Sequence, residues 1–216
     1  MKAKFPDTIF VCGIGTDVGK TMVAALLVKA MQADYWKPIQ TGSAAQSDRL
    51  FVEKWAHSAN TILHPETYHF PIPASPHIAA KLDNAFIDLS AIQLPITINR
   101  LVVESAGGIL VPLNDRETNL DLIKQLNIPI ILVANEYLGS INHTILSIEI
   151  LRQHHCDLLG LIFNGEAYLD NETIIAKHSQ VPVLGRVEKM PQINSTNMAA
   201  AAEKLRLSLA NYYELN

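Results

Sequence analysis

Short, wholly apolar runs recur along this chain, separated by longer stretches in which apolar positions return every three or four residues. The runs predict strands at Thr8–Cys12, Tyr35–Ile39, Arg100–Glu104, Pro129–Ala134, Leu158–Phe163 and Pro182–Val187. The spaced stretches predict helices at Lys20–Ala33, Asn119–Leu126, Ile141–His154, Glu172–His178 and Asn197–Leu209. Unbroken apolar strands such as Ile130-Ile131-Leu132-Val133 are of the kind buried on both faces. Strands alternating with helices predict an α/β fold, a three-layer sandwich with a mostly parallel central sheet and helices on both faces. In such sheets ligands bind beyond the carboxyl ends of the strands, which is where the polar motifs of this chain fall.

One segment breaks the rhythm. From Gln40 to about Leu94 the chain holds Pro65, Pro71, Pro73 and Pro76, with Pro95 just beyond and helix-like pieces at Leu50–Ser58 and Pro76–Leu82. This stretch, about 40–95, reads as an irregular elaboration over the ligand face of one domain spanning 1–216, not as a second domain. There is no internal repeat and no low-complexity linker.

Composition narrows the picture. The 216 residues are 49 % apolar and 18 % charged, a globular balance with length enough for a core. A net charge of −4 argues against a large nucleic-acid face. No apolar run reaches the length of a membrane span and no export segment is evident, so the expected setting is cytoplasmic. Cys12 and Cys156 form no metal spacing, and Cys12 closes a buried-looking strand as a free thiol.

The chemistry begins at GIGTDVGKT, residues 13 to 21, between the first strand and the first helix. Gly13, Gly15 and Gly19 let the backbone approach an anion, and the amides of Gly19, Lys20 and Thr21 point at phosphates along the helix dipole. Lys20 would then neutralise the β- and γ-phosphates and the Thr21 hydroxyl would join a Mg²⁺ shell. The fold is therefore P-loop NTPase-like. The usual pattern wants glycine where Ile14 stands, a departure that the local residues do not explain. Mg²⁺ also needs an acidic ligand at a neighbouring strand end. Glu104 supplies one, unless it is a hydrogen-bonded structural acid. Asp48 is a second candidate, with a helix N-cap as its rival role. Lys37, between Trp36 and Pro38, is either a second phosphate-facing cation or a solvated lysine.

Taken together, GIGTDVGKT, WKPIQTGS, SPHIAA, ESAGG, YLGSINH and LIFNG resemble dethiobiotin synthetase over nearly the whole chain. That family's loop is one residue longer, Gly-x5-Gly-Lys-Thr, and Gly13 through Thr21 fits it. The resemblance implies a ligase of biotin biosynthesis, an ATP-dependent cyclo-ligase that closes the ureido ring of dethiobiotin. Its substrates are 7,8-diaminononanoate, CO₂ (or bicarbonate) and MgATP, and it works through a carbamate and a carbamic–phosphoric anhydride. It further implies Lys37 and Lys20 as catalytic lysines, and Thr21, Asp48 and Glu104 as Mg²⁺ ligands. ATP binding falls to Gly15, Thr16, Asp17, Val18, Gly19, Lys20, Thr21, Met22, Glu104, Ser105, Ala106, Gly107 and Asn164. Substrate binding falls to Thr16, Lys37, Thr41, Gly139, Ser140, Ile141 and Asn142, the last four donated across a homodimer.

By themselves Ser140 and Asn142 read equally as helix N-caps, and Asn164 as a loop asparagine. His77 reads as structural or pocket-lining. Three positions depart from the family pattern: Ser105 and Gly165 stand where glycine and aspartate are usual, and Asp17 where glutamate is common. Three rival readings remain on the sequence. One is a partition-type regulatory ATPase, whose signature lysine would occupy the place of Gly15; another is a different amide- or ureido-forming P-loop synthetase. The third is a nucleotide-binding protein without turnover, should Ser105 spoil the metal geometry.

Overall fold

A computed structural model of the protein describes residues 2–215. Met1 and Asn216, the ends of the expected 1–216 span, lie outside the described residues. The elements follow in the order β1 (Ala3–Lys4), β2 (Thr8–Gly13), α1 (Lys20–Met31), β3 (Asp34–Trp36), β4 (Ile39–Thr41), α2 (Asp48–Ala56), β5 (Tyr68–Phe70) and α3 (Pro76–Leu82). Then come β6 (Leu101–Gly108), α4 (Asn119–Leu126), β7 (Ile130–Asn135), α5 (Ser140–Gln153), β8 (Leu158–Asn164), α6 (Asn171–Ser179), β9 (Val183–Val187), α7 (Ser195–Leu209) and β10 (Tyr213–Glu214).

Six strands form the central sheet in the order β3-β6-β2-β7-β8-β9. Every neighbouring pair is parallel. The side chains of β2 alternate between two cores, as the period of a strand requires. Ile9 and Val11 join α1 and α7 through Val23, Leu27, Met198 and Leu205. Phe10 and Cys12 face the opposite layer, with Leu120 and Ile123 of α4, Ile148 and Leu151 of α5, and Ile175 of α6. The α/β sandwich expected from the apolar pattern is the fold observed.

The chain leaves β2 for the β3 edge, returns to β6 beside β2, and only then moves to β7, β8 and β9. Its direction reverses at β2, so the crevice at the carboxyl end of that strand opens where parallel sheets bind ligands. Gly13 pairs with Gly108 although Val11 pairs with Glu104. Residues 105–107 therefore bulge out opposite Cys12 alone and lean over the loop that follows β2.

The expected strand Tyr35–Ile39 is not one strand. It breaks at Lys37-Pro38: β3 stays in the central sheet, while β4 turns away to pair with β5 in a separate two-stranded ribbon. Proline has no N–H to give to a ladder and constrains the residue before it, so the central sheet cannot continue through this point. Two further elements, β1 and β10, pair with each other and were not legible as strands. Segment 40–95 carries α2, α3 and this ribbon, and α2 buries Val52 and Ala56 against the α1 layer. No helix among the described residues is long and apolar enough to cross a membrane.

Candidate active site

The loop between β2 and α1 is built for close approach. Gly19 is the N-cap of α1 with φ 93°, and no side chain caps the helix, which leaves the first-turn amides free. A Cβ on Gly19 would sit 2.1 Å from Asn164 Nδ2 at the end of β8. One on Gly13 would meet Val18 at 2.6 Å, so the tight turn also demands glycine there. Lys20 folds back and donates from Nζ to the Gly15 carbonyl at 2.9 Å. Its burial pulls the ammonium pKa below the ordinary lysine value, against the attraction of Glu104 and with the like charge of Lys37.

Strand parity assembles the rest. Tyr35 pairs with Val102 in the β3–β6 ladder, so Glu104, two residues on, shares the face of Val102 that looks at α1. Thr21, in the first turn of α1, donates to Glu104 Oε1 at 2.8 Å or to Asp48 Oδ1 at 2.9 Å. Lys37 Nζ lies 3.2 Å from Glu104 Oε1 and also donates to Asp48 Oδ2. Glu104 is fully buried and Lys37 nearly so. Burial works to lower the Lys37 pKa, but the Glu104 and Asp48 carboxylates outweigh it and hold the ammonium above its ordinary value. Burial likewise works to raise Asp48, and Lys37 outweighs it, so this carboxyl sits below the usual range. Asp48 is not the N-cap of α2. Ser47 is, accepting from Leu50 N, and Asp48 in the first turn is left to face the cluster.

A hydroxyl has one proton, so Thr21 Oγ1 cannot donate to both carboxylates at once. Three oxygen atoms therefore converge with one proton and the Lys37 ammonium between them, the donor set that a hard divalent cation prefers. Among the described residues no group of three or more His, Cys, Asp or Glu forms a cage. A Mg²⁺ ion here would complete its shell from phosphate oxygens and water, as that ion commonly does.

A cavity of about 850 Å³ opens over these residues. Thr16, Asp17, Gly19, Lys20, Thr21, Lys37, Thr41, Asp48, Glu104, Ala106 and Gly107 line it, so most of the expected site residues meet in one place. Gly15, Val18, Met22, Ser105 and Asn164 do not line it. Ser105 is buried and turns its hydroxyl to the Gly107 carbonyl at 3.1 Å, pinning the bulge.

Gly139, Ser140, Ile141 and Asn142 also stand outside the cavity. Gly139, with φ 103°, is the N-cap of α5. The Ser140 hydroxyl is buried, accepting from Tyr137 N and Asn171 Nδ2. His77 does not line the cavity, though its neighbours Ser75 and Pro76 do.

Sequence reasoning missed several contributors. Gln40 accepts from Asp48 N and donates to the Thr41 carbonyl, tying the β4 end to α2. Gln46, Pro73, Ala74 and Val111 also line the wall, whereas Gly42 and Ser43 there belong to the loop already expected after Thr41. Tyr35, also unforeseen, donates to Glu104 Oε2 at 2.8 Å. Burial and then the neighbouring Glu104 charge push its phenol pKa well above the ordinary value, so it remains a donor. A tyrosine inside an apolar strand was the available signal, because a buried phenol needs a partner.

Known proteins resemble the chain at two levels. Solved structures show the fold alone. The cell division ATPase MinD of Pyrococcus furiosus superposes with a TM-score of 0.59 at 15 % identity, over 95 % of this chain and 99 % of that one. A putative plasmid partition protein of Borrelia burgdorferi B31, bound to AMPPNP, gives 0.58 at 10 % identity over 96 % and 98 %.

Sequence relatives are nearer. A family model described as an AAA domain matches residues 7–197. The ATP-dependent dethiobiotin synthetase BioD of Cytophaga hutchinsonii is 44 % identical over 95 % of this chain and 98 % of its own. That of Christiangramia forsetii is 42 % identical over 94 % and 98 %. With that identity spread over nearly the full length of both chains, this chain belongs to the ATP-dependent dethiobiotin synthetase family.

Proposed function

We propose that the protein closes the ureido ring of dethiobiotin, converting 7,8-diaminononanoate, CO₂ and ATP to dethiobiotin, ADP and phosphate. One amine adds to CO₂ and loses a proton, giving a carbamate. A carbamate oxygen takes the γ-phosphoryl group from ATP, forming the carbamic–phosphoric anhydride. The second amine then attacks the carbamoyl carbon, phosphate leaves with the former carbamate oxygen, and the ring closes. The observation that carries this reading is the convergence of Lys37, Thr21, Asp48 and Glu104 on one cavity at the phosphate loop.

Phosphoryl transfer asks a protein mainly for position and for neutralised charge. In this reading the free amides at Gly19–Met22 and the Lys20 ammonium hold the phosphates, with Gly15–Val18 and Ser105–Gly107 shaping the loops around them. Lys37, kept protonated by its two carboxylates, neutralises the carbamate and the transferring group. Thr21, Asp48 and Glu104 hold Mg²⁺, which when bound supplies charge neutralisation at the β- and γ-phosphates. Thr16 and Thr41 contact the diamine and Asn164 reads the base.

The capless α5 N-terminus at Gly139–Asn142 is an anion seat outside its own chain's cavity, and Leu138 beside it is 87 % exposed. We take it to serve the substrate carboxylate of a second copy, in a homodimer. The reading treats 1–216 as one domain and the enzyme as cytoplasmic.

The test mixes purified protein with MgATP, bicarbonate and 7,8-diaminononanoate and follows phosphate release and product mass. Phosphate release that needs both small substrates and yields dethiobiotin is expected. ATP hydrolysis indifferent to the diamine would overturn the reading in favour of a regulatory ATPase.

A further inference from the structure

Glu104 has two oxygens in two different environments. Oε1 meets Thr21 Oγ1 and Lys37 Nζ on the cavity side. Oε2 faces away, and among the described residues the only hydrogen-bond donor to it is the Tyr35 phenol, at 2.8 Å. Both side chains are fully buried.

The contact follows from register. Tyr35 pairs with Val102, and Glu104 is the diagonal neighbour two residues along the next strand on the same face. Only a long side chain spans that diagonal. The Tyr35 backbone is pinned on its other side as well, donating to the Ile62 carbonyl at 3.0 Å and accepting from His64 N at 2.9 Å. The backbone that carries the ring is therefore held on both sides.

We propose that Tyr35 is a positioning residue for the metal site: its phenol holds Glu104 Oε2, so that Oε1 alone is presented to a divalent cation shared with Thr21 and Asp48. A buried carboxylate with one oxygen unheld can rotate about its terminal torsion, which is soft, and offer either oxygen or both. With Oε2 occupied, the carboxylate is fixed as a one-oxygen ligand before the cation arrives. Partners of this kind, behind the ligand, typically change metal affinity by about 10–100-fold. The inference rests on the reading above that Thr21, Asp48 and Glu104 hold Mg²⁺.

Tyr35→Phe removes one oxygen and leaves the ring in the core. The test titrates Mg²⁺ into the full-length protein with a fluorescent ADP analogue, and separately counts bound Mn²⁺ by electron paramagnetic resonance in the presence of ADP. Glu104→Gln is measured alongside. In Tyr35→Phe, nucleotide binding in EDTA should match the parent protein, while the Mg²⁺ midpoint should rise about ten-fold and Mn²⁺ occupancy should fall. 4-Aminophenylalanine at position 35, which restores a donor, should bring the midpoint back.

An unmoved midpoint in Tyr35→Phe with a shifted one in Glu104→Gln overturns the role of Tyr35 and leaves the metal site standing. Unmoved midpoints in both overturn the metal reading itself. Should Tyr35→Phe not fold, 3-fluorotyrosine at position 35 of the otherwise unchanged chain reports the contact. Its ¹⁹F resonance should shift when Mg²⁺ joins ADP, and a resonance indifferent to Mg²⁺ overturns the proposal.

Discussion

Lys37 Nζ, just past the end of β3, stands 3.2 Å from Glu104 Oε1 inside the neighbouring β6, with Lys37 nearly buried and Glu104 wholly so. Removing the cation leaves a buried carboxylate whose only remaining donors among the described residues are the hydroxyls of Thr21 and Tyr35. Lys37→Ala should thus cost stability, by about 3 kcal/mol on the scale of broken buried pairs. It should also lower kcat about 10²–10³-fold, as losing one charge-stabilising donor does. Denaturant melts and steady-state kinetics of the folded fraction check the two effects separately. A kcat equal to that of the parent chain would remove Lys37 from the chemistry.

Gly19 is held by two independent demands, a φ of 93° and the Asn164 amide against its Cα. Gly19→Ala meets both. Left-handed backbone costs a residue with Cβ about 1–2 kcal/mol, and the clash displaces either Asn164 or the loop. Folding stability should fall by at least about that strain, and nucleotide affinity should fall with it, because a loop that relaxes away from the strain no longer aims its amides at the phosphates. Adding Asn164→Ala to Gly19→Ala should recover part of the folding stability but not all, because φ is unchanged. Complete recovery would show that the contact, not the backbone, sets the demand.

Much of this site was legible because it lies in local patterns: strand, glycines, Gly-Lys-Thr, helix. Glu104 closing an apolar run and Lys37 before a proline were visible for the same reason, although β6 runs past Glu104 to Gly108. Tyr35 was not, because its role depends on which strand lies beside β3 and in which register. The split of Tyr35–Ile39 was half visible: Pro38 marked a break, but the apolar run on both sides of it concealed one. The pairing of β1 with β10 joins the two ends of the chain, and strands of two residues carry no period to read.

Asp34 illustrates the same limit and yields a pH prediction. Its buried carboxylate accepts from Thr97 Oγ1 at 2.6 Å, Ile62 N at 2.7 Å and Asn99 Nδ2 at 2.9 Å, with His64 Nε2 at 3.2 Å. Burial would raise its pKa, but these partners, Thr97 foremost, outweigh it and hold the carboxyl below its ordinary value. A depressed folded pKa contributes stability that is complete above the unfolded value, about 3.9, and lost as pH falls through the folded one. Asp34→Asn should therefore be less stable than the parent protein at neutral pH, and the gap should narrow as pH drops below about 4. Urea midpoints measured across that window decide it; a constant gap would show that Asp34 is not a net pH-linked group.

Thr21 is the residue through which the first turn of α1 meets the acid cluster, with one proton for two carboxylate oxygens 2.8 and 2.9 Å away. Thr21→Val keeps the shape and removes the oxygen, so Asp48 Oδ1 and Glu104 Oε1 lose the proton they share while Lys37 still meets both carboxylates. Thr21→Ser keeps the oxygen and drops a methyl group. If the hydroxyl is a cation ligand, Thr21→Val should bind ADP in EDTA as the parent protein does but lose at least about ten-fold of the Mg²⁺-dependent gain, a loss in the range expected for a weakened metal site. Thr21→Ser should retain that gain. If instead the hydroxyl serves only to bridge two structural acids, Thr21→Val should lower the melting temperature and leave the Mg²⁺ dependence where it was. The two variants, read by melting and by Mg²⁺ titration together, separate a ligand from a strut.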